Sequence, residues 1–286
     1  MSLVLDPWVV VPLSFLGLGY MVGLARLRGA SRTGGGVSPA QGAAFIGGWI
    51  TIAFALLSPL DRLGGALFSA HMAQHVLLML VSAPLLVLAQ PLPVLLWAFP
   101  RTARRAIGRA GTSPAWRPCW RALTRASIAA VIYSATLWIW HAPPLYAFAL
   151  ENEFVHALQH SSFLCASLLF WWSILNTNKR PEGLGAAALA VFIMGVQANV
   201  LALALIFASS PWFPANAAGA QAWGLTALED QQLGGAIMSI PGMLVHLTAG
   251  AALLVLWLRE SEQRAIARER HNGRCLNSAV PPVPGR

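Results

Sequence analysis

Phe68-Ser69-Ala70-His71-Met72-Ala73-Gln74-His75-Val76-Leu77-Leu78-Met79-Leu80-Val81-Ser82-Ala83-Pro84-Leu85-Leu86-Val87-Leu88-Ala89 reads as a membrane-crossing helix with chemistry at one end. Its apolarity is continuous rather than alternating, which predicts a helix, and about 20 such residues cross a hydrocarbon core of about 30 Å. Near its start stands the pattern H-x-x-Q-H, and the pattern returns as His156-Ala157-Leu158-Gln159-His160, again near the start of an apolar run. Histidines four apart share one helix face, so each copy presents two imidazoles with an amide beside them. Ionisable groups are costly inside a membrane, so two such pairs point to one shared site.

The rest of the chain has the same character. It is 57% hydrophobic and 10% charged, with a mean hydropathy of +0.61, far from the roughly 25% charged residues of soluble domains. Seven apolar runs stand out: Trp8–Leu27, Ala40–Leu60, Phe68–Ala89, Ser127–His141 (extending through Leu150 past the Pro143-Pro144 bend), Phe154–Leu175, Leu184–Ala208 and Leu233–Leu258. Pro91–Pro100 is too short to span and reads as an interfacial or re-entrant piece. The expected fold is an all-α integral membrane protein, a seven-helix transmembrane bundle. Residues 1–258 form one seven-span membrane domain and 259–286 a cytoplasmic tail, largely disordered at its end.

A net charge of +9 invites a nucleic-acid reading, and the distribution of that charge argues against one. Basic residues follow alternate runs: Arg26, Arg28 and Arg32 after the first, then seven arginines from Arg101 to Arg125, then Lys179 and Arg180, then six arginines from Arg259 onward. The opposite loops hold Arg62 with Asp6, Asp61, Glu151, Glu153, Glu229 and Asp230. By the positive-inside rule the N-terminus is outside and the C-terminus in the cytoplasm. The partner is the lipid bilayer, not nucleic acid. The start carries Asp6 and no Lys or Arg before Trp8, so no cleavable targeting segment is expected.

This topology puts His71, His75, His156 and His160 in the outer thirds of the third and fifth runs and His141 at the outer end of the fourth. His246 falls near the middle of the seventh, where hydrogen bonding to a neighbouring helix is an equally good reading. Neutral imidazole is a common ligand of copper, zinc and iron. His71, His75, His156, His160 and His141 are therefore the candidate metal ligands. Gln74 and Gln159 are placed to hold their second ring nitrogens, Asp61 and Asp230 to attract a cation or orient the rings, and Met72 to add a soft donor or to pack. The three cysteines, Cys119, Cys165 and Cys275, form no C-x-x-C and none is expected at the outer surface, so a thiolate shuttle there is not expected. No phosphate-binding loop or G-x-S-x-G elbow is present. Gly19-x-x-x-Gly23 is expected to serve close helix packing.

Ser58-Pro59-Leu60-Asp61, Leu67-Phe68-Ser69-Ala70-His71-Met72-Ala73-Gln74-His75 and Ala83-Pro84-Leu85-Leu86 resemble the multi-span CtaG family. So do Trp140-His141-Ala142-Pro143 with Leu145-Tyr146, Val155-His156-Ala157-Leu158-Gln159-His160, Phe170-Trp171-Trp172, and Asp230-Gln231-Gln232-Leu233-Gly234-Gly235 with Met238 and Pro241-Gly242. The resemblance covers about residues 40–258. It implies a role in assembling cytochrome c oxidase in the cell inner (plasma) membrane, with oxidase subunits as partners and copper as cofactor, received from a donor protein at the outer face. It is distinct from the single-span copper chaperone that has carried the same name. Two other readings stay open from the residues alone. One is a zinc-dependent intramembrane hydrolase using Ser69, Ser161 and Asp61 beside the histidines. The other is a haem b electron-transfer protein. The single-site reading requires the third and fifth helices to be parallel neighbours. His141 should reach their cavity from an antiparallel fourth helix, with Asp230 overhanging it.

Overall fold

A computed structural model describes residues 7–30, 36–176 and 183–278, with side chains described through 266 and at Glu269. Every regular element among them is helical. In chain order these are α1 (Pro7–Ala30), α2 (Pro39–Leu57), α3 (Pro59–Ala66), α4 (Phe68–Val76), a π-helical segment (Leu77–Ser82) and α5 (Ala83–Ala89). There follow α6 (Pro91–Trp97), α7 (Arg101–Gly111), α8 (Trp116–Leu123), α9 (Ala126–Trp140), α10 (Pro143–Glu151), α11 (Glu153–Leu175), α12 (Gly183–Ile206), α13 (Ala217–Ala222) and α14 (Ala227–Ser278).

Six of these helical stretches are long and apolar enough to cross a membrane: α1, α2, the continuous Phe68–Ala89 stretch, α11, α12 and the first part of α14. The seventh expected span is where structure and expectation part. Alone, α9 has 15 residues and rises about 22 Å, short of the core thickness. Only together with α8, from which it is bent by 68°, does it pass as a span. The chain is therefore a multi-pass helical bundle of six spans, or seven if the bent pair crosses as one. The tail prolongs α14 as helix through Ser278; residues 279–286, Lys179, Arg180 and Arg32 lie outside the described residues.

Local sequence explains the breaks. Pro39 and Pro59 open their helices at a position where the missing N–H costs nothing, and Ser38 and Ser58 cap them. Gln90 adopts a left-handed φ of 48° and turns the chain into α6, which folds back onto α1. There Gly23 meets the Val94 carbonyl so closely that an added Cβ would lie 2.0 Å from it, so the G-x-x-x-G face receives α6. The π segment precedes Pro84, whose ring would collide with the Leu80 carbonyl in a regular helix. The wider turn removes that collision, with Ala83 N–H reaching back to Leu78 O.

Two apolar cores follow. One gathers α5, α9, α11, α12 and α14 around Phe163, Phe170, Trp171 and Met194. The other seats α1 and α6 on α2 and the third span around Tyr20, Phe45, Leu78 and Leu86. The α12–α14 pairing is the most extensive, with Gly235 against the Ala202 carbonyl and Gly195 against the His246 side chain.

Candidate metal centre

His71 and His75 project from α4, and His156 and His160 from α11, into one chamber. Their ring centroids lie 4.5 Å apart within the α4 pair and 4.4 Å within the α11 pair. Across the helices, His71 is 5.2 Å from both His156 and His160, and His75 is 5.3 Å from His160. The two pairs therefore share one site. The helices come close where the π segment and α5 meet α11, while at the histidine-bearing ends the imidazoles stand between them. Both H-x-x-Q-H motifs lie at the starts of their helices and later turns of both also meet, so the two run parallel.

His71, His156 and His160 each offer a ligand atom, and these atoms lie within 4.8 Å of one another. Bonds of about 2.0–2.1 Å in a tetrahedral or trigonal site put neighbouring nitrogens about 3.3–3.6 Å apart, so a side-chain adjustment on the order of 1 Å closes the set on an ion. His71 is fully buried and His75 nearly so, yet neither ring nitrogen of either makes a hydrogen bond of normal geometry. Buried polar atoms seldom go unsatisfied, and four such nitrogens in one chamber suit a metal ligand set. His156 is only half-buried and forms the exposed end.

His75 stands one layer deeper, beside the fifth histidine. His141, at the C-terminal end of α9, has its ring 5.9 Å from that of His75. Its Nδ1–H donates to the Leu137 carbonyl (2.7 Å), which leaves the Nε2 lone pair facing the Met72 sulfur at 3.3 Å. Met72 thus turns into the site, as a borderline donor paired with a soft one. The helix bearing His141 is antiparallel to α11: Trp140 Nε1 donates to Ser162 Oγ near one end, and Tyr133, two turns earlier in α9, packs against Phe170 at 5.2 Å, two turns later in α11.

The supporting residues have different duties from those expected. Gln74 faces away from the rings, its amide N–H groups donating to the Ala55 carbonyl (2.8 Å) and to Asp61 Oδ1 (3.0 Å). Gln74 and Asp61 therefore fasten α4 to α2 and α3. Asp230 is engaged at the start of α4. Its carboxylate accepts the backbone N–H groups of Phe68 (2.7 Å) and Ser69 (3.0 Å) and the Ser69 hydroxyl, capping the N-terminus of α4, where Leu67 offers no side-chain cap. Gln159 remains among the rings, buried, with neither end of its amide in a hydrogen bond of normal geometry.

An aromatic roof covers the site, which the sequence reading did not anticipate. Tyr146 packs edge-on to His71 at 5.1 Å, and Phe68 and Phe213 stack at 4.4 Å beside it. The Tyr146 hydroxyl donates to Asn216, in the connection between α12 and α14. Gln231 holds that connection by accepting Trp212 N–H and donating to the Leu205 carbonyl. Tyr146 belongs to the Leu145-Tyr146 pair that resembles the family, but nothing in the spacing ties it to residues 213–216.

Residues 18–260 match the cytochrome c oxidase caa3 assembly factor family, Caa3_CtaG. The chain belongs to this family. It is also 26% identical over 278 residues to an uncharacterized protein of Mycobacterium leprae and 26% identical over 266 residues to one of Mycobacterium tuberculosis, in each case over 90% of this chain and 39% of the relative. The chain thus spans well under half the length of these curated relatives. No solved structure matches it.

Proposed function

We propose that this chain is an assembly factor for a haem–copper cytochrome c oxidase and that it holds copper in the histidine chamber on its way to the oxidase. The carrying observation is the convergence of His71, His156 and His160 within one ion's reach, beside buried His71 and His75 nitrogens that make no hydrogen bond of normal geometry. Family membership supplies the oxidase; the donor set supports the metal. The Met72 sulfur against His141 Nε2 favours copper, above all Cu(I), over zinc. With the N-terminus outside and the basic loops in the cytoplasm, the chamber opens outward through His156, where a copper donor protein would meet it.

The other readings fit less well. The hydrolase reading needs Ser69, Ser161 and Asp61, but Ser69 is bonded to Asp230, Ser161 is exposed and Asp61 holds Gln74. A porphyrin needs a slot of its own width between two axial rings, and the chamber is filled by imidazoles 4.4–5.9 Å apart.

The test is anaerobic loading of the purified full-length protein with Cu(I), followed by elemental analysis. Wild type should retain copper, and a His71→Ala/His160→Ala double variant should lose the chamber's share. Unchanged stoichiometry overturns the metal site. Oxidase purified from cells lacking the gene should be copper-deficient, and a fully metallated oxidase overturns the assembly role.

A further inference from the structure

Beneath the chamber lies a cavity of about 40 Å³, bounded by His75, Met79, Tyr133, Met238, Gly242 and His246. We propose that it is a second, deeper station for a soft monovalent cation, with His246 Nε2 and the Met79 and Met238 sulfurs as its donors and His75 shared with the chamber above. This deepens the copper reading by giving the ion a place to go. From Asp230, level with the chamber roof, α14 rises about 12 Å to Met238 and about 24 Å to His246, so the station extends from about the level of His75 further down the bundle.

The tautomer of His246 is set by its surroundings. Its Nδ1–H donates to the Gly242 carbonyl one turn back (2.7 Å), so Nε2 carries the lone pair. That nitrogen is buried and makes no hydrogen bond, so His246 is not acting as interhelical glue through it. Its ring is oriented by Trp171, stacked at 6.2 Å with an interplanar angle of 27°. The orientation of Trp171 comes from the π segment. Ala83 N–H is drawn to Leu78 O, and Pro84 has no N–H, so the Met79 carbonyl is left to accept from Trp171 Nε1 (3.0 Å). The same local distortion that admits Pro84 thus fixes both Met79 and the ring over His246.

The donor chemistry selects the occupant. Two thioethers and a neutral imidazole, with no carboxylate lining the cavity, suit Cu(I) and disfavour hard or doubly charged ions. The cavity is small but exceeds the 10–15 Å³ or so that one water-sized occupant needs. His75, unbonded at both nitrogens, faces both compartments and is the natural point of transfer between them.

The experiment loads the full-length protein anaerobically with Cu(I) and measures copper per chain together with sulfur scattering in the copper X-ray absorption spectrum. Three forms are compared: wild type, His71→Ala/His160→Ala, and Met79→Leu/Met238→Leu with or without His246→Gln, each checked for wild-type helicity. The inference expects two coppers per chain in wild type. The deep variants should lose one copper and the sulfur scattering beyond what Met72 contributes, while the chamber variant keeps the copper held by the Met79 and Met238 sulfurs. Deep variants with wild-type copper and sulfur scattering overturn the second station and leave the chamber standing. A chamber variant that keeps the full wild-type copper overturns the chamber and leaves the station. Because leucine replaces methionine at nearly constant volume, loss of copper without loss of fold is a ligand effect.

Discussion

Asp230 caps the helix that begins at Phe68, accepting its backbone N–H at 2.7 Å across 162 residues of sequence. This single carboxylate joins the start of the last span to the start of the span that carries His71 and His75. The neighbouring glycines make the approach feasible, since a Cβ at Gly234 would lie 2.5 Å from the Phe68 ring. The Asp-Gln-Gln-Leu-Gly-Gly stretch is therefore an assembly device for the chamber: Asp230 fixes α4, Gln231 fixes the roof, and Gly234 and Gly235 let α14 close on its neighbours.

Asp230→Ala should accordingly destabilise the protein by on the order of 3 kcal/mol, because buried hydrogen bonds to a charged group are worth about 1.5–3 kcal/mol each and the donors would be left unpaired. Asp230→Asn keeps an acceptor and should cost less. Thermal unfolding of the detergent-purified variants gives the order. A wild-type midpoint for the alanine variant would show that the cap is dispensable.

Gly219→Ala should detach the roof. Its Cβ would lie 2.0 Å from the Ala66 carbonyl, a backbone atom with nowhere to go. Gly65→Ala, one residue from that contact, meets nothing within 4 Å and should be neutral or slightly stabilising as a helical glycine replacement. Comparing the yield and unfolding midpoint of the two variants separates close packing from a general intolerance of change.

How much of this was legible beforehand follows from the range of each interaction. The spacing of His71 and His75, and of His156 and His160, is a property of one helix, so the sequence carried it, and the depth argument brought His141 to the same level. The duties of Gln74 and Asp230 depend on which side chain faces which neighbouring helix, and spacing along one helix carries no such information. The same holds for the roof, where Tyr146 and Asn216 meet across 70 residues. The seventh span hangs on α9 for a local reason: the apolar run is real, but Thr124 and Arg125 end α8 and let the chain bend by 68° before α9 begins, so only the bent pair is long enough to cross.

Met72→Leu tests whether the sulfur facing His141 is a ligand or packing. Leucine keeps the volume, so stability should fall by less than about 1.5 kcal/mol. If the thioether binds copper, Cu(I) affinity should weaken about tenfold or more while zinc affinity changes little, because only the soft ion uses sulfur. Competition against a Cu(I) chelator measures the first and a zinc indicator the second. Equal affinities in variant and wild type would assign Met72 to packing.

The orientation of the bundle and the status of α9 can be settled by one labelling experiment. In a background with Cys119, Cys165 and Cys275 replaced by serine, single cysteines are placed at two exposed positions, Thr112 and Glu151. A membrane-impermeant maleimide should label Glu151→Cys in intact spheroplasts and Thr112→Cys only after permeabilisation. The physical basis is the arginine-rich segment around α7, which the positive-inside rule holds in the cytoplasm, and the path of α9 along α11 from the level of Phe170 to that of Ser162. Labelling of both positions from one side would mean that α8 and α9 do not cross together and that the bundle has six spans. Labelling of Thr112→Cys alone in intact spheroplasts would invert the protein and turn the chamber toward the cytoplasm, leaving its ligands unchanged but requiring a cytoplasmic source of copper.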